Sequence, residues 1–440
     1  MDHTEPHEIG VGVLGFGTVG TGVVDGLHRR GERIAARTGI RLALRGVADL
    51  DLERDRGVPV DPALLTRDAA ALVDDPGVDV VAELIGGTGA ARELALRALA
   101  LGKPVVTANK ALLAVHGAEL FEAARRHHTG LFFEASVGGG VPIVRALQEG
   151  LVSNRFHHVC GILNGTCNYI LTRMEAEAAP FDAVLAEAQR EGFAEADPAL
   201  DIDGHDTAHK ACILATLAHG GVVPIDAVPV TGIRGISPLD LAYAAGLGYR
   251  IKLLAFIRRG GDAVEVGVGP TLVPRNHMLA SVQGVFNAVL VAGDQVGDTL
   301  YYGRGAGRDA TASAVLADLA DAASRRITQG PWMNGCFRAD PSLRLRDPGD
   351  VRARYYLRLT LQDRPGILAR VAGILGEHGI SIAAVVQKAS DREAPVPVVV
   401  LTHEASARAL RAALRAIDAL DCVGAPTVRF TIEDFAPPAG

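Results

Sequence analysis

Residues 9–20 read IGVGVLGFGTVG, and this stretch decides the fold of the first part of the chain. The apolar run 9–13 predicts a buried strand, and a helix is predicted after the glycines, to about residue 27. Between them Gly15, Gly17 and Gly20 form a G-x-G-x-x-G turn. Glycines in that context let the backbone approach a pyrophosphate at the N-terminus of the helix. The stretch therefore predicts a dinucleotide-binding domain in which these glycines contact the cofactor.

Two aspartates follow the second predicted strand, residues 42–48. Asp49 and Asp51 stand where an acidic side chain hydrogen-bonds a ribose 2′-hydroxyl, which favours NAD. Arg54 and Arg56 lie just downstream and could instead reach the 2′-phosphate of NADP. All four charges could also simply solvate a turn. The expected cofactor is therefore NADP or NAD, and the residues leave the choice open.

Strands and helices continue to alternate up to residue 135, which favours an α/β fold with a doubly wound parallel sheet. The predicted elements are strands 78–85, 105–107 and 131–135 and helix 90–101. Lys110 follows a strand at the carboxyl edge of the sheet, where such folds bind ligands; an exposed lysine at a helix start is the alternative. Glu134 ends the last strand, and its carboxylate with nearby carbonyl groups could hold a small hard cation.

The composition is that of an ordinary globular protein. The chain has 440 residues, 48% of them hydrophobic, and a formal net charge of -7 from 44 Lys and Arg against 51 Asp and Glu. This length accommodates about three domains of roughly 150 residues each. The charges form no basic stripe that could grip a polyanion, so nucleic acid is not an expected partner.

The cysteines and the N-terminal residues bear on the compartment. The five cysteines form no C-x-x-C pair, which fits a reducing cytosol and argues against a structural zinc site; they are Cys160, Cys167, Cys212, Cys336 and Cys422. Residues 1–10 lack the features of a signal peptide, and no apolar run approaches the roughly 20 residues that span a bilayer. A cytoplasmic protein that does not enter membranes is therefore expected.

Residues 192–210, GFAEADPALDIDGHDTAHK, place five carboxylates ahead of a single lysine. Apolar residues recur at helical spacing over 206–217, so Asp206 and Lys210 are predicted one turn apart on one helix face. One interpretation is an ordinary ion pair; the other is a site that binds an amino acid and moves a proton. Asp197, Asp201 and Asp203 are interpreted as turn and cap residues.

The middle of the chain mixes helices and strands, which predicts a second domain of α+β type. Residues 164–169, NGTCNY, form a polar turn that is either a substrate-facing loop or a helix cap. Residues 267–273 are predicted as sheet. The glycine turn GRGAG at 303–307 precedes a predicted helix, 310–323, and could bring backbone amides to the cofactor.

The last part of the chain predicts a βαββαβ unit of split-βαβ type. Its predicted elements are strands 354–361, 380–387, 396–402 and 427–432 and helices 367–378 and 405–420. The turn DRPG at 363–366 opens the first of these helices, where a proline suits the helix start.

Six motifs, together with this C-terminal unit, resemble the homoserine dehydrogenase family. They are GFGTVG at 15–20, TANK at 107–110, EASVGGGVP at 134–142, NGTCNYIL at 164–171, the stretch 192–210 and GRGAG at 303–307. The C-terminal unit resembles an ACT domain, as found in the monofunctional form of the enzyme. The resemblance implies an NAD(P)-binding Rossmann domain at 1–138. It implies a catalytic and dimerisation domain at 139–325, whose last helix could return to the first domain. A linker at 326–352 and an ACT domain at 353–435 would follow.

The resemblance also implies an activity, the reversible interconversion of L-homoserine and L-aspartate 4-semialdehyde with NADP or NAD. It implies Lys210 as the acid and base, Lys110 beside nicotinamide and substrate, and Glu195 and Asp206 as substrate-binding residues. A general base must take the hydroxyl proton as hydride leaves. Burial and Lys110 would favour a neutral lysine for this task, whereas the carboxylates would favour the charged form.

Further site residues are implied by the same resemblance. The additional cofactor contacts are Phe16, Thr18, Val19, Thr88, Thr107, Lys110, Gly192, Gly305 and Gly307. Glu134 with the carbonyl groups of Val137, Gly139 and Val141 matches a monovalent cation site for sodium. Ala48 replaces an arginine that the family often has at the end of the second strand, which argues against a preference for NADP.

The ACT resemblance implies an effector, threonine, bound between ACT units of neighbouring subunits, in a homodimer or homotetramer. A vestigial oligomerisation module is the alternative. For the whole chain, the alternatives are another Rossmann amino-acid dehydrogenase and a non-catalytic sensor of nucleotides and amino acids.

Overall fold

A computed structural model of the chain describes residues 6–332, 344–387 and 395–435. Part of the predicted linker, with Cys336, lies outside the described residues. The described chain divides into two compact units. The first unit holds residues 6–159, 209–227 and 287–332, and the second holds 160–208, 228–286, 344–387 and 395–435.

The N-terminal part of the first unit alternates strands with helices, as predicted. The strands are β1 (His7–Leu14), β2 (Ile40–Ala48), β3 (Leu65–Thr66), β4 (Val80–Glu83), β5 (Val105–Thr107) and β6 (Leu131–Phe132). The helices are α1 (Thr18–Thr38), α2 (Ala69–Asp74), α3 (Ala90–Ala100) and α4 (Lys110–Arg126). They are followed by the short helix α5 (Ile143–Arg145) and strand β7 (Phe156–Ile162).

These strands form one parallel sheet in the order β3-β2-β1-β4-β5-β6. Helices cover the faces of this sheet, so the side chains of β1 and β4 are largely buried. This burial explains why both strands are near-continuous apolar runs. The strand order is that of the doubly wound dinucleotide-binding folds, whose ligands lie beyond the carboxyl ends of the strands. The predicted fold class of the first domain is therefore confirmed.

The first unit also contains elements from later in the chain. They are α9 (His205–His219), β10 (Phe286–Gly293), β11 (Gly297–Arg304) and α11 (Arg308–Thr328); α9 begins in the second unit. Helix α11 packs along α1, and Val315 and Leu319 share one core cluster with Val23 and Val24. This long helix thus helps to bury the helix that opens at the glycine turn.

Some elements are longer or shorter than the sequence predicts. α1 extends to Thr38 instead of residue 27, because its charged second half still presents a buried alanine, Ala35, to the core. The strand predicted over 131–135 ends at Phe132, and Glu134–Ser136 form a 3₁₀ turn. Glu134 therefore lies in a turn and not at a strand end.

The second unit contains helices packed on a mixed sheet. Its helices are α6 (Gly165–Glu177), α7 (Phe181–Arg190), α8 (Ala199–Ile202), α10 (Pro238–Gly246), α12 (Ile367–Glu377) and α13 (Ala407–Asp418). Its strands are β8 (Tyr249–Gly260), β9 (Ala263–Pro274), β12 (Arg344–Leu345), β13 (Arg352–Leu361), β14 (Ile382–Gln387), β15 (Val396–Thr402), β16 (Ala405–Ser406) and β17 (Val423–Ile432). The sheet runs in the order β8-β9-β17-β13-β15-β14.

The C-terminal βαββαβ module is built from β13, α12, β14, β15, α13 and β17. Its core joins buried side chains of both helices and the sheet, among them Leu357, Val371 and Leu410. Its last strand, β17, pairs in parallel with β9 through Thr431 and Ile432, so the module extends the sheet begun by the β8–β9 hairpin.

Within the described ranges, no helix combines the length and the apolar character that crossing a membrane requires. The described cysteines, Cys160, Cys167, Cys212 and Cys422, are buried and form no disulfide with one another. Burial raises the pKa of the Cys160 and Cys212 thiols to about 12, so these two groups stay protonated near neutral pH.

Candidate active site

The glycine turn lies between β1 and α1 at the carboxyl edge of the parallel sheet. Gly15 has a φ of +98°, a conformation that side chains rarely adopt. Gly17 is the N-cap of α1, and since it has no side chain, no side-chain cap takes up the N–H groups of the first turn. Open amide groups at a helix N-terminus bind a pyrophosphate. The turn therefore fits a nicotinamide dinucleotide.

Gly20 in this turn and Gly31 further along α1 make a matched pair for a test. A Cβ on Gly20 would lie 2.0 Å from the carbonyl oxygen of Gly15, whereas a Cβ on Gly31 would meet no atom within 4 Å. We expect Gly20→Ala to weaken NAD(P) binding about ten- to a hundredfold, because the turn must shift to relieve the overlap. Gly31→Ala is the control with binding within about threefold, because it lies on the same helix but outside the turn. Fluorescence titration of the cofactor measures both, and equal affinities would contradict the proposed turn.

The charged pair that follows β2 folds back onto the glycine turn. The Asp49 carboxylate accepts the N–H of Phe16 at 2.5 Å and a guanidinium N–H of Arg56 at 3.3 Å. Arg56 lies over the Phe16 ring, 4.9 Å from its centroid, and donates to the Phe16 carbonyl oxygen at 2.5 Å. Asp49 and Arg56, two of the residues that bear on the choice between NAD and NADP, therefore form one cluster around Phe16. Their side chains make specific contacts, so these two residues do more than solvate a turn.

Glu83 organises the loops after β4 and β5, and sequence analysis missed it. Its carboxylate is fully buried and accepts from the Thr107 hydroxyl at 2.6 Å and from the N–H of Ile85 at 3.0 Å. Burial raises the pKa of Glu83, and these hydrogen bonds oppose the rise. An acid at the end of a buried strand, followed by glycines, was the available signal.

Lys110 is held at the first position of α4 by its neighbour. Asn109 is the N-cap: its side chain accepts the N–H of Leu112 at 3.0 Å and donates to the Gly87 carbonyl oxygen at 2.7 Å. The Asn109 N–H in turn donates to the Thr107 hydroxyl at 2.9 Å. Lys110 is half-buried. Lys110 thus lies at a helix start, as in the alternative interpretation, but it is half-buried and not exposed. Thr107, Asn109 and Gly87 form one hydrogen-bonded network beside it.

The motifs EASVGGGVP and GRGAG meet within the first unit. Gly140 donates to the Arg304 carbonyl oxygen at 3.0 Å, and a Cβ on Gly139 would lie 2.6 Å from the carbonyl oxygen of Gly305. Gly305 itself faces Asn287 so closely that a Cβ would lie 2.0 Å from the Asn287 amide. The two backbone segments therefore pack directly on each other, which is why both are rich in glycine.

Glu134 is satisfied by protein donors. Its carboxylate oxygens accept the N–H groups of Val144 at 2.9 Å and Arg145 at 2.8 Å, at the start of α5. Burial is the main cause that raises the Glu134 pKa, to about 7, and the nearby Asp318 adds to it. The Val141 carbonyl oxygen accepts an N–H from Ile143 at 2.8 Å. The cation site at Glu134, Val137, Gly139 and Val141 stays a prediction.

Residues 192–210 lead into α9 as predicted. The sequence prediction separated Asp201 from Asp206, whereas the structure brings the two carboxylates together. Asp206 and Lys210 are both buried on α9, with 4% and 7% of their surface exposed. The Asn164 side chain donates to Asp206 at 2.9 Å and to Asp201 at 2.7 Å. Asp201 therefore belongs with Asp206 and not with the turn residues. Glu195 is exposed in the segment between α7 and α8, as is Gly192, which has a φ of +77°.

Asn164 is the N-cap of α6, so the helix-cap interpretation of NGTCNY is confirmed. Its side-chain oxygen accepts the N–H of Cys167 at 2.8 Å, while its amide holds the two carboxylates. A single asparagine thus fixes the start of α6 and the direction of an acidic pair.

Asn168, in the same motif, contacts a buried lysine that sequence analysis missed. Lys252 on β8 is 2% exposed, and its ammonium donates to the Asn168 side-chain oxygen at 3.0 Å and to the Val282 carbonyl oxygen at 2.5 Å. The Asn168 amide donates to the carbonyl oxygens of Gly284 and Phe286 at 2.9 and 3.2 Å. Lys252 thus holds α6 and the 282–286 segment together.

Burial lowers the pKa of Lys252 from 10.5 to about 8, which gives a testable pH dependence. Between pH 8 and 10.5 the folded state has released a proton that the unfolded state still holds, so this group makes the protein more stable as pH rises through that window. We expect the wild type to gain on the order of 3 kcal/mol relative to Lys252→Met across the window. Thermal unfolding of both proteins at pH 7.5 and 10 measures the difference; parallel curves would contradict it.

These features define a class of protein. The chain has the parts of a nicotinamide-dependent dehydrogenase. These parts are a parallel sheet with a glycine turn open to a pyrophosphate, a lysine at the sheet edge, and a buried acid and lysine on one helix.

Comparison with known proteins specifies the family. The homoserine dehydrogenase family model matches residues 142–320, the NAD-binding domain model of homoserine dehydrogenase matches 15–134, and the ACT domain model matches 355–422. A homoserine dehydrogenase of Neisseria gonorrhoeae is 41% identical over 97% of this chain and 99% of its own. The chain belongs to the homoserine dehydrogenase family.

Solved structures agree. The crystal structure of a homoserine dehydrogenase from Thiobacillus denitrificans has a TM-score of 0.92 and 43% identity, covering 97% of this chain and 98% of that chain. A hyperthermophilic archaeal homoserine dehydrogenase in complex with NADPH has a TM-score of 0.62 and 26% identity, covering 74% of this chain and 99% of that chain. The resemblance of the sequence to this family is therefore confirmed, including its NAD(P)-binding and ACT domains.

Proposed function

We propose that the protein interconverts L-homoserine and L-aspartate 4-semialdehyde with NAD or NADP. The observation that carries this proposal is the helix α9, which buries Asp206 and Lys210 one turn apart while Asn164 joins Asp206 to Asp201. Such a cluster suits an amino-acid substrate, since carboxylates attract an ammonium group and a lysine exchanges a proton with an oxygen. A silent sensor would need no lysine to exchange a proton, so the presence of Lys110 and Lys210 argues against it. Another amino-acid dehydrogenase is separated from this proposal by its substrate.

In the proposed mechanism the bound nicotinamide supplies the hydride acceptor or donor. Lys210 takes the proton of the homoserine hydroxyl during oxidation and returns it to the same oxygen during reduction. Lys110 stabilises negative charge on that oxygen, and Asp206 and Glu195 receive the substrate ammonium group. Asn164 keeps the Asp206 carboxylate oriented through its 2.9 Å hydrogen bond.

Initial rates of the purified protein test the proposal. With homoserine, NAD or NADP must be reduced in proportion to enzyme concentration, and the ratio of kcat/KM for the two cofactors measures the choice that the Asp49 and Arg56 cluster makes. A panel of other amino acids is the comparison. No homoserine-dependent reduction with either cofactor would refute the activity, and a better amino-acid substrate would favour the alternative dehydrogenase.

The cation prediction belongs to the same assay. We propose that sodium is held by the backbone carbonyl groups of Val137, Gly139 and Val141 beside Glu134. Replacing sodium salts with tetramethylammonium salts at constant ionic strength tests it. A fall in rate that sodium restores supports the site, and a rate independent of the cation excludes it.

Threonine is the proposed effector, bound at the DRPG turn between ACT modules of neighbouring subunits. Saturating threonine is expected to lower the rate roughly 5- to 150-fold, the usual range of allosteric coupling. Asp363, whose carboxylate accepts from Gln387 at 3.1 Å, is exposed in that turn. Asp363→Ala is expected to relieve the inhibition, with Asp421→Ala, an exposed acid of the same module, as the control. Threonine without effect on the wild type would identify the module as vestigial.

The cytoplasmic location and the homodimer or homotetramer stay predictions.

A further inference from the structure

A cavity lies inside the second unit, away from the DRPG turn, where the C-terminal module meets the β8–β9 hairpin. Its volume is about 140 Å³. One wall comes from Val266 and Val268 on β9 and from Thr231 in the segment before α10. The other wall comes from the module, with Tyr355 and Phe430. Buried valines and aromatic rings make most of the interior apolar. The cavity therefore suits a small ligand with an apolar body.

Two arginines give the cavity its charge. Arg411 on α13 and Arg429 on β17 both line it and are both exposed. Arg411 donates its Nε to the Ala407 carbonyl oxygen at 3.3 Å, which leaves its terminal nitrogens available. In the described part of the chain, neither arginine forms an ion pair. Two such guanidinium groups beside an apolar space form a receptor for a carboxylate.

Tyr355 lines the cavity together with both arginines. Burial raises the Tyr355 pKa, the positive charges of Arg429 and Arg411 oppose the rise, and the negative charge of Glu265 adds to it. Thr431 and Thr231 add hydroxyl groups to the lining. Glu265 does not line the cavity, and its carboxylate is paired with Arg258 at 3.2 Å. Since no aspartate or glutamate is among the described lining residues, the lining offers no carboxylate to an ammonium group. The chemistry is that of a carboxylate receptor without an amine receptor.

We propose that this cavity binds an apolar monocarboxylate that lacks an ammonium group, of the 2-oxo acid class, with its carboxylate on Arg411 and Arg429 and its hydrocarbon part against Val266, Val268 and Phe430. The ligand would bridge the dehydrogenase hairpin and the C-terminal module of one chain. This site differs from the threonine site, which lies between modules of different subunits, and it does not depend on the proposed catalytic activity.

Gly269 allows the cavity to be filled without disturbing either wall. It lies on β9, lines the cavity, and a Cβ there would meet only Thr231 Cβ, at 3.8 Å. Gly269→Val therefore places methyl groups in the space, and valine suits a strand. Arg429→Met removes one guanidinium group. Arg415→Met is the matched control, an exposed arginine on the same helix as Arg411 that does not line the cavity.

Isothermal titration of the full chain with 4-methyl-2-oxopentanoate, leucine and 3-methylbutylamine tests the proposal. These probes share one hydrocarbon body and differ in their charged groups. We expect the oxo acid to bind and to raise the thermal midpoint, with leucine at least tenfold weaker and the amine silent. Arg429→Met should weaken oxo-acid binding about ten- to a hundredfold, Gly269→Val should abolish it, and Arg415→Met should not change it.

Each other outcome overturns the proposal. Leucine binding as tightly as the oxo acid would refute the ligand class, and oxo-acid binding that survives both Gly269→Val and Arg429→Met would place the site elsewhere. Absence of binding to the wild type would refute the site. Since the thermal midpoint of each variant is measured without ligand, a misfolded variant is recognised, and the other variant then decides.

Discussion

Replacing Lys210 with methionine is expected to lower kcat about 10²- to 10⁴-fold, because the residue that exchanges the proton with the substrate oxygen is lost. Lys210 is only 7% exposed, so methionine, which is unbranched and of similar length, fills its place without leaving a cavity. Cofactor affinity should stay within about threefold, since the glycine turn is untouched. Stopped-flow reduction of the cofactor and a fluorescence titration measure the two quantities.

The chain offers a matched control for this substitution. Lys103 is also 7% exposed, and its ammonium donates to the carbonyl oxygens of Val73 and Asp75 at 2.7 and 2.6 Å. Lys103→Met should lower the thermal midpoint and leave kcat within about threefold, because those partners are structural. If Lys210→Met kept kcat within tenfold of the wild type, Lys210 would not be the acid and base.

Asp240→Ala is expected to destabilise the protein by about 3–5 kcal/mol, the usual cost of leaving a buried charge without its partner. Asp240 on α10 is fully buried and accepts from Tyr356 at 3.1 Å and from Arg358 at 2.6 and 3.1 Å. Both donors lie on β13, the first strand of the C-terminal module. Asp240 also accepts from Ser237 in a capping box at the start of α10. Its loss therefore affects a helix and the contact with the module together.

Asp350→Ala provides the comparison for Asp240→Ala. Asp350 pairs with Arg408 at 2.9 Å, but both side chains are more than 60% exposed, and such pairs contribute little. Thermal unfolding should therefore show a shift for Asp240→Ala several times larger than for Asp350→Ala. Equal shifts would show that the Asp240 network does not hold the module. Deleting the module would also remove both β13 donors of Asp240, so point substitutions separate regulation from stability more cleanly.

Features set by neighbouring residues were predictable from the sequence. The strand, glycine turn and helix at 9–20, the α9 helix and the βαββαβ unit all follow from periodicity and turn chemistry over short windows. The position of Lys110 at a helix start was predictable for the same reason, since Asn109 is a preferred N-cap.

Features that join distant parts of the chain were not predictable from one sequence. Asn164 and Asp201 are 37 residues apart, and Lys252 and Asn168 are 84 apart. No local pattern specifies such pairs, because burial in the folded state selects the partner of a polar group. Arg56 illustrates the point: its sequence position suggests a phosphate ligand or a solvated turn, whereas its side chain lies on Phe16 and pairs with Asp49.

The pairing of β17 with β9 has a consequence for biosynthesis. β17 spans Val423–Ile432, whereas its partner β9 leaves the ribosome about 150 residues earlier, at Ala263–Pro274. A nascent chain that stops before β17 leaves Thr271 and Leu272 of β9 without their β17 partners, and an open stretch of strand edge invites pairing with other chains. This part of the β9 edge is thus protected only once β17 has been synthesised.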